Sequence, residues 1–417
     1  MTNGVPADDR LPVVLIVLDG LGDRPAAALG NLTPSEAADV PALSALVRCG
    51  QSGVHVPFGP GRCTSSETAH WALFGFDAVP FPGRAALEAL GSGIEPPPRT
   101  PHFHLALRAG VSRGESLFLG ARARRGRDDE DAAGLFAELA TVPATGAAME
   151  ILPLRTGEAV LVAHGVASHH VSDSDALFDH IHPWLRPLPL ADAAQASAAA
   201  TSADTLTRWL LDGHRRLHAH PINDARRRNG LPPLDIPVTK WASRIDPDMP
   251  SFERHVGVRG AAVTDTALYR GLAKMLGMHG VDIAYDAASP CDDMRRRLEA
   301  AASLLGDADF VHVHVKATDA AGHTKDPAHK RDVIAATAAG LDGLPALAGR
   351  AVVAVTGDHA TPSTGSLLHS GDPTPLVVAG PGIRPDAVEH FGERPALNGE
   401  LGRLGAADIL PLLLGLA

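Results

Sequence analysis

Short runs of apolar, largely β-branched residues, each stopped by a charged residue or a glycine, constrain this chain most. VVLIVL (13–18) ends at Asp19-Gly20, FVHVHV (310–315) at Lys316, and AVVAVT (351–356) at Gly357-Asp358-His359, with PLVVAG (375–380) close behind. Runs of this length fit strands buried on both faces, as in a parallel sheet covered by helices. Helical patterns such as DTALYRGLAKMLGM (265–278) and DDMRRRLEAAASLL (292–305) fill the intervals, giving β-α-β alternation. The expected fold class is therefore α/β, with a mainly parallel sheet flanked by helices. Open sheets of this kind hold ligands beyond the carboxyl ends of their strands. Asp19, Asp319, Asp358 and His359 are thus expected to converge although they lie at opposite ends of the chain.

The middle of the chain breaks the pattern. Its apolar runs are shorter, and a basic patch, ARARRGR (121–127), meets an acidic one, DDED (128–131). We expect an inserted α+β cap at 99–187, hinged at the proline-rich PPPRTP (96–101) and PWLRPLPL (183–190), within a discontinuous core of 1–98 and 188–417. A net charge of -11 argues against a nucleic-acid partner. Cys49, Cys63 and Cys291 show no CxxC spacing, which argues against a disulfide scaffold or a thiolate metal site. The polar N-terminus has no basic region, and VVLIVL is too short for a membrane span or a signal-peptide core, so a cytoplasmic protein is expected.

Four clusters carry chemistry. Asp19 closes the first strand; TSSETAH (64–70) places hydroxyls before a helix; KATDAAGH (316–323) sets Asp319 and His323 at i, i+4; GDHATP and HSGDPTP supply Asp358, His359 and His369. Each alone is equally consistent with a helix cap or a surface histidine. Together they offer three aspartates, three histidines and a hydroxyl, the inventory of a two-cation oxygen and nitrogen site. Such donors suit Mn²⁺ or Zn²⁺, with Mg²⁺ a further candidate, in a phosphoryl-transfer centre. A serine hydroxyl is a weak nucleophile until a cation or a base activates it.

At these residues the chain resembles the cofactor-independent (2,3-bisphosphoglycerate-independent) phosphoglycerate mutases of the archaeal type, in the alkaline phosphatase superfamily. The resemblance runs nearly end to end and includes LDGLGDRP (18–25), SSETAHWALFGFD (65–77), GRAALEALGSG (83–93), HVKATDAAGH (314–323), GDHATPS (357–363) and HSGDPTPLVVAG (369–380). It implies an alkaline-phosphatase-like core, a phosphoserine intermediate and interconversion of 3-phosphoglycerate and 2-phosphoglycerate. Ser66 is the implied nucleophile, and its choice over Ser65 rests on the resemblance. One cation would take Asp319, His323 and His369; the other would take Asp19, Asp358, His359 and the Ser66 oxygen. Lys316 is placed to neutralise phosphoryl charge.

The departures from the family lie in the insert. Where the family has an Ala-Thr-Val-Asp step and an Asp-Arg-Arg-Ala-Gly-Arg run, this chain reads LRAGVSRGESLFLGARARRGRDDEDA (107–132), and an Arg-Gly-Ala-Gly segment is replaced by TKWASRI (239–245). The substrate-binding candidates are Arg84, Arg122, Arg124, Arg125, Arg127, Asp173 and Asp175. Arginine forks grip phosphate and carboxylate, so moving them changes which acid fits. A small phosphorylated acid or a phosphonate is the expected substrate, with no membrane partner and a homo-oligomer open. A hydrolase of another small phosphate or phosphonate ester, nucleotide-linked ones included, is the rival reading. A non-catalytic metal-binding protein is the third.

Overall fold

The computed structural model describes residues 10–114, 116–175, 181–192 and 194–417, and the side chain of residue 112 is not described. The polar segment 1–9 lies outside the described residues, as do residues 176–180 of the VSDSDALFDHIHPW stretch. Val13–Leu18 is buried at every position and pairs in parallel with Phe310–Val315 on one side and Val352–Thr356 on the other. Around this trio an eight-stranded sheet forms in the order His279–Asp282, Gly260–Thr264, Phe310–Val315, Val13–Leu18, Val352–Thr356, Thr374–Ala379, Gln51–His55, Gly402–Leu404. Thr374–Ala379 runs against both neighbours, and the other pairs are parallel. The fold is thus α/β with a mainly parallel sheet flanked by helices. The expected helices form as Ala267–Met275 and Pro290–Leu304. Among the described residues no helix is long and apolar enough to cross a membrane.

The chain divides into two compact units, 10–81 with 250–417, and 82–249. The second unit is wider than the 99–187 insert read from composition, and pairing explains why. Ile236–Ser243 lies antiparallel to His102–Arg113, and helices Arg84–Gly91 and Ala196–His218 pack on that strand. Register between segments far apart in sequence sets this boundary, and composition does not report it. The stretch at 96–101 lies within the smaller unit, tied down by the Arg99 N–H donating to the Ile245 carbonyl at 2.9 Å.

A buried network braces the loops that follow the central strands. Lys330 Nζ donates to the carbonyls of Gly20 (2.8 Å), Gly22 (3.0 Å) and Thr361 (2.8 Å) and pairs with Asp23 at 3.1 Å. Beside it, buried Glu393 accepts from the Asp23 N–H at 3.1 Å and from the Thr33 and Ser35 hydroxyls. Burial pushes the Glu393 carboxyl up to about 7, whereas a free glutamate titrates near pH ~4.3. Across that window the native state holds the proton and the unfolded state does not, so this group's contribution to stability falls as pH rises. Glu393→Gln is therefore expected to flatten the loss of stability between pH 5 and 7.5 in urea unfolding. An unchanged slope would remove Glu393 as its source.

Candidate metal centre and nucleophile

The ends of the central strands bring Asp19, Asp319, Asp358 and His359 together in the larger unit. Asp19 follows Val13–Leu18, its N–H donating to the Val315 carbonyl at 3.0 Å. Gly20 then turns with φ +62°, and a Cβ there would stand 2.4 Å from Thr361 Oγ1 and 2.7 Å from Asp319 Oδ1. Only glycine lets these strand ends close to this distance.

The two oxygens of Asp19 face different partners. Oδ2 accepts from Lys316 Nζ (2.9 Å), His314 Nε2 (2.9 Å) and the Tyr269 hydroxyl (3.2 Å). Oδ1 faces Ser66 Oγ at 3.5 Å and His359 Nε2 at 3.4 Å. Burial alone would raise this carboxyl's pKa, but Lys316 and His314 hold it below the usual range. Asp319 is likewise buried yet held ionised, by His323, His369 and Lys316. Its Oδ1 accepts from Thr361 Oγ1 at 2.6 Å and lies 3.3 Å from His323 Nε2 and 3.6 Å from His369 Nε2. Its Oδ2 sits 2.7 Å from Lys316 Nζ.

Among the described residues, two groups of side chains have ligand atoms within 4.8 Å of one another: Asp319, His323, His369, and Asp19, Asp319, His359. Asp319 belongs to both, a sharing that spacing in the sequence did not suggest. Asp358 stands beside the second group. Its Oδ1 accepts the Gly20 N–H at 2.9 Å; its Oδ2 is buried without a hydrogen bond, 3.4 Å from His359 Nε2 and 3.5 Å from His70 Nδ1. Burial and the neighbouring Asp19 carboxylate push its pKa well up. Three carboxylates gathered in a buried space, one with an unpaired oxygen, fit divalent cations, and the donors are all oxygen and imidazole nitrogen.

Ser66 opens the helix Ser66–Leu73. Its buried Oγ lies 2.9 Å from His359 Nε2. Ser65, the residue before the helix, instead bonds the Thr68 hydroxyl at 2.9 Å. Burial drives the pKa of His359 down to about 3, leaving a neutral ring. Thr361 donates its hydroxyl proton to Asp319, so it can only accept from His359 Nδ1 at 3.3 Å. That leaves the lone pair of Nε2 facing Ser66.

His314, Tyr269, Thr361, His70 and Asp265 line this centre but were not singled out from sequence. One signal was available: FVHVHV alternates histidines at period two, placing His312 and His314 on one face. His314 bridges Asp19 to Asp265, with its Nδ1 3.1 Å from Asp265 Oδ1. The carboxylate–imidazole pair orients Asp19 from behind.

The smaller unit scatters the substrate-binding candidates. Arg127 forks onto Asp128 at 2.6 and 2.8 Å, and Asp128 also takes the buried Arg226. Arg122 lines a recess with Lys240, and Arg125 lines another with Arg155. Arg124 is exposed, and its N–H donates to Asp128 at 2.7 Å. Arg84 pairs with Glu88 at 2.9 Å. Asp173 accepts the Trp241 N–H at 2.7 Å, and buried Asp175 takes Arg108 and, at 3.1 Å, His182. The four arginines therefore do not act as one patch.

A family model for the metalloenzyme superfamily matches residues 11–415. The 2,3-bisphosphoglycerate-independent phosphoglycerate mutase of Pyrococcus furiosus is 35% identical over 409 residues, covering 97% of this chain and 96% of that protein. That of Thermoplasma volcanium is 34% identical, covering 98% of each. Among solved structures, a Pyrococcus horikoshii protein superposes with a TM-score of 0.77 at 30% identity, covering 98% of this chain and 97% of that one. The cofactor-independent phosphoglycerate mutase of Thermoplasma acidophilum gives 0.64 at 28% identity, covering 98% and 100%. With 35% identity over 97% of its length, this chain belongs to the 2,3-bisphosphoglycerate-independent phosphoglycerate mutase family of the metalloenzyme superfamily.

Proposed function

We propose that this chain is a metal-dependent phosphoryl-transfer enzyme that interconverts 3-phosphoglycerate and 2-phosphoglycerate through a phosphoserine at Ser66. The observation that carries this reading is the Ser66 hydroxyl, 2.9 Å from His359 Nε2 among three clustered carboxylates. Asp319, His323 and His369 would hold one divalent cation, and Asp19, Asp358, His359 and Ser66 the other, with Asp319 close to both. Mn²⁺ and Zn²⁺ suit the donors best, and Mg²⁺ is a weaker fit to imidazole. Such cations lower the pKa of a bound hydroxyl and stabilise charge on the transferring phosphoryl group.

The residues of the chain supply the rest. Ser66 Oγ forms a bond to phosphorus as the bond to the glycerate oxygen breaks, and the hydroxyl proton passes to the departing oxygen. Return of the phosphoryl group to the other glycerate hydroxyl reverses both changes. Lys316, 2.9 Å from Asp19 and 2.7 Å from Asp319, balances the added negative charge. Ser66 is the first residue of the helix Ser66–Leu73, whose N-terminal end favours negative charge beside it. The smaller unit would hold the acid, in the cytoplasm.

The rival reading, a phosphohydrolase or phosphodiesterase acting on another small phosphate or phosphonate ester, is favoured by the insert, where this chain reads TKWASRI (239–245) and the resemblance implies Arg-Gly-Ala-Gly. Incubation with 3-phosphoglycerate and with an aryl phosphate, with and without Mn²⁺, separates the two by ³¹P NMR. 2-Phosphoglycerate marks a mutase and inorganic phosphate a hydrolase.

The arginines give a finer test. Arg122→Ala is expected to lower kcat/KM on the true substrate by roughly 10- to 150-fold, the equivalent of about 1.5–3 kcal/mol for a charge-assisted contact. Arg127→Ala, removing a partner of Asp128, should instead lower Tm. Equal kinetics for Arg122→Ala and wild type would return Arg122 to the solvated surface.

A further inference from the structure

We infer that Thr361 is a positioning residue whose single hydroxyl orients a ligand in each cation group and fixes the tautomer of His359. The inference rests on the two-cation reading above, while its evidence is the bonding of Thr361 itself.

Thr361 is fully buried, and each of its polar atoms is engaged. Its N–H donates to the Gly22 carbonyl at 3.0 Å, and its own carbonyl accepts from Lys330 Nζ at 2.8 Å. Its Oγ1 donates to Asp319 Oδ1 at 2.6 Å and lies 3.3 Å from His359 Nδ1. Two glycines from the neighbouring ligand-bearing segments close around it. A Cβ on Gly20 would stand 2.4 Å from Thr361 Oγ1. One on Gly322 would stand 2.6 Å from the Thr361 carbonyl oxygen and 2.8 Å from its Cγ2. Gly20 follows Asp19 and Gly322 precedes His323, so Thr361 sits where the three segments meet.

A hydroxyl has one proton to give and lone pairs to accept with, whereas a carboxylate only accepts. The proton of Thr361 therefore goes to Asp319, and Oγ1 is left as an acceptor for His359 Nδ1–H. Asp19 Oδ1 and Asp358 Oδ2, each 3.4 Å from Nε2, compete for that imidazole proton. The Thr361 hydroxyl is what keeps it on Nδ1 and leaves Nε2 bare, 2.9 Å from Ser66 Oγ. An imidazole takes a cation only through an unprotonated nitrogen, and the bond made by its other nitrogen selects which one that is. The Asp319 oxygen that Thr361 holds is also the one facing His323 at 3.3 Å and His369 at 3.6 Å. One hydroxyl thus links the first group, through Asp319, to His359 and the nucleophile.

Thr361→Val keeps the shape of the side chain and removes the hydroxyl. Nitrogen-15 NMR of the metal-free, full-length protein reads the tautomer, with the His359 signals identified by their absence from His359→Gln. The proton is expected on Nδ1 in wild type and on Nε2 in Thr361→Val. Calorimetric titration with Mn²⁺ should then show both equivalents weakened roughly 10- to 100-fold in the variant. Thr361→Ser, which keeps the hydroxyl, should restore the tautomer and most of the affinity; a role confined to packing of the methyl group would leave serine no better than valine. Thr361→Ala against Thr361→Ser differs by the hydroxyl alone, so that pair carries the same comparison if the valine variant does not fold. A wild-type proton on Nε2, an unchanged tautomer in Thr361→Val, or unchanged Mn²⁺ affinity in it would each overturn the inference. The two readings fail separately. Wild type that takes up no Mn²⁺, with a tautomer that still follows the hydroxyl, sinks only the two-cation reading. Two equivalents held equally tightly by wild type and Thr361→Val sink only the role of Thr361.

Discussion

Ser66→Ala is expected to reduce turnover by at least about four orders of magnitude, on the scale seen when a covalent nucleophile is removed. The geometry predicts that fold and metal uptake survive. The Ser66 side chain contributes contacts to His359 at 2.9 Å and Asp19 at 3.5 Å, whereas the carboxylates and imidazoles remain. Rapid quenching with substrate should leave phosphate on a peptide spanning Ser66 in wild type and none in the variant. Ser65→Ala is the control. Its hydroxyl bonds Thr68, so the variant should stay active. A dead Ser65→Ala and an active Ser66→Ala would move the nucleophile by one residue.

The second large effect falls on Asp319. Its Oδ1 sits within reach of His323 and His369, and its Oδ2 of Lys316. Because it belongs to both groups of candidate ligands, Asp319→Ala should disturb both cations. His323→Ala should disturb chiefly one. Replacing even groups behind metal ligands costs about 10- to 100-fold, so loss of a shared carboxylate should exceed that range. The expected result is metal content falling from two equivalents toward none, together with loss of activity. A second readout needs no substrate. A cation bound at 100 times its Kd stabilises the native state by about 2.7 kcal/mol, so Mn²⁺ should raise the Tm of wild type and leave Asp319→Ala nearly unmoved. EDTA should inactivate wild type reversibly. Two tightly held equivalents in Asp319→Ala would overturn the assignment of the centre.

Much of this was legible in sequence because the signals are local. VVLIVL and AVVAVT read as strands from their own composition, and Asp19, Asp358 and His359 follow them directly. A residue at a strand's carboxyl end points to the ligand side in this class of sheet, so convergence could be read without coordinates. The i, i+4 spacing of Asp319 and His323 likewise places both on one face of the Ala317–His323 helix.

Other features depend on contacts that no local pattern encodes. Asp319 is shared because Gly20 allows the strand ends to approach within a distance a Cβ would block. Asp358 keeps one oxygen unpaired because the Gly20 N–H takes the other. The arginines at 122–127, adjacent in sequence, diverge because Asp128 captures Arg127 while the strand ending at Arg122 turns that residue toward Lys240. Lys240 is a surface-type residue by composition, and strand pairing with a bulge is what buries it. Sequence by itself determined the sheet, the strand ends and the ligand types, since these follow from short-range hydrophobic pattern. Only the tertiary structure decided which carboxylates come together and which basic side chains are buried, because long-range register sets both.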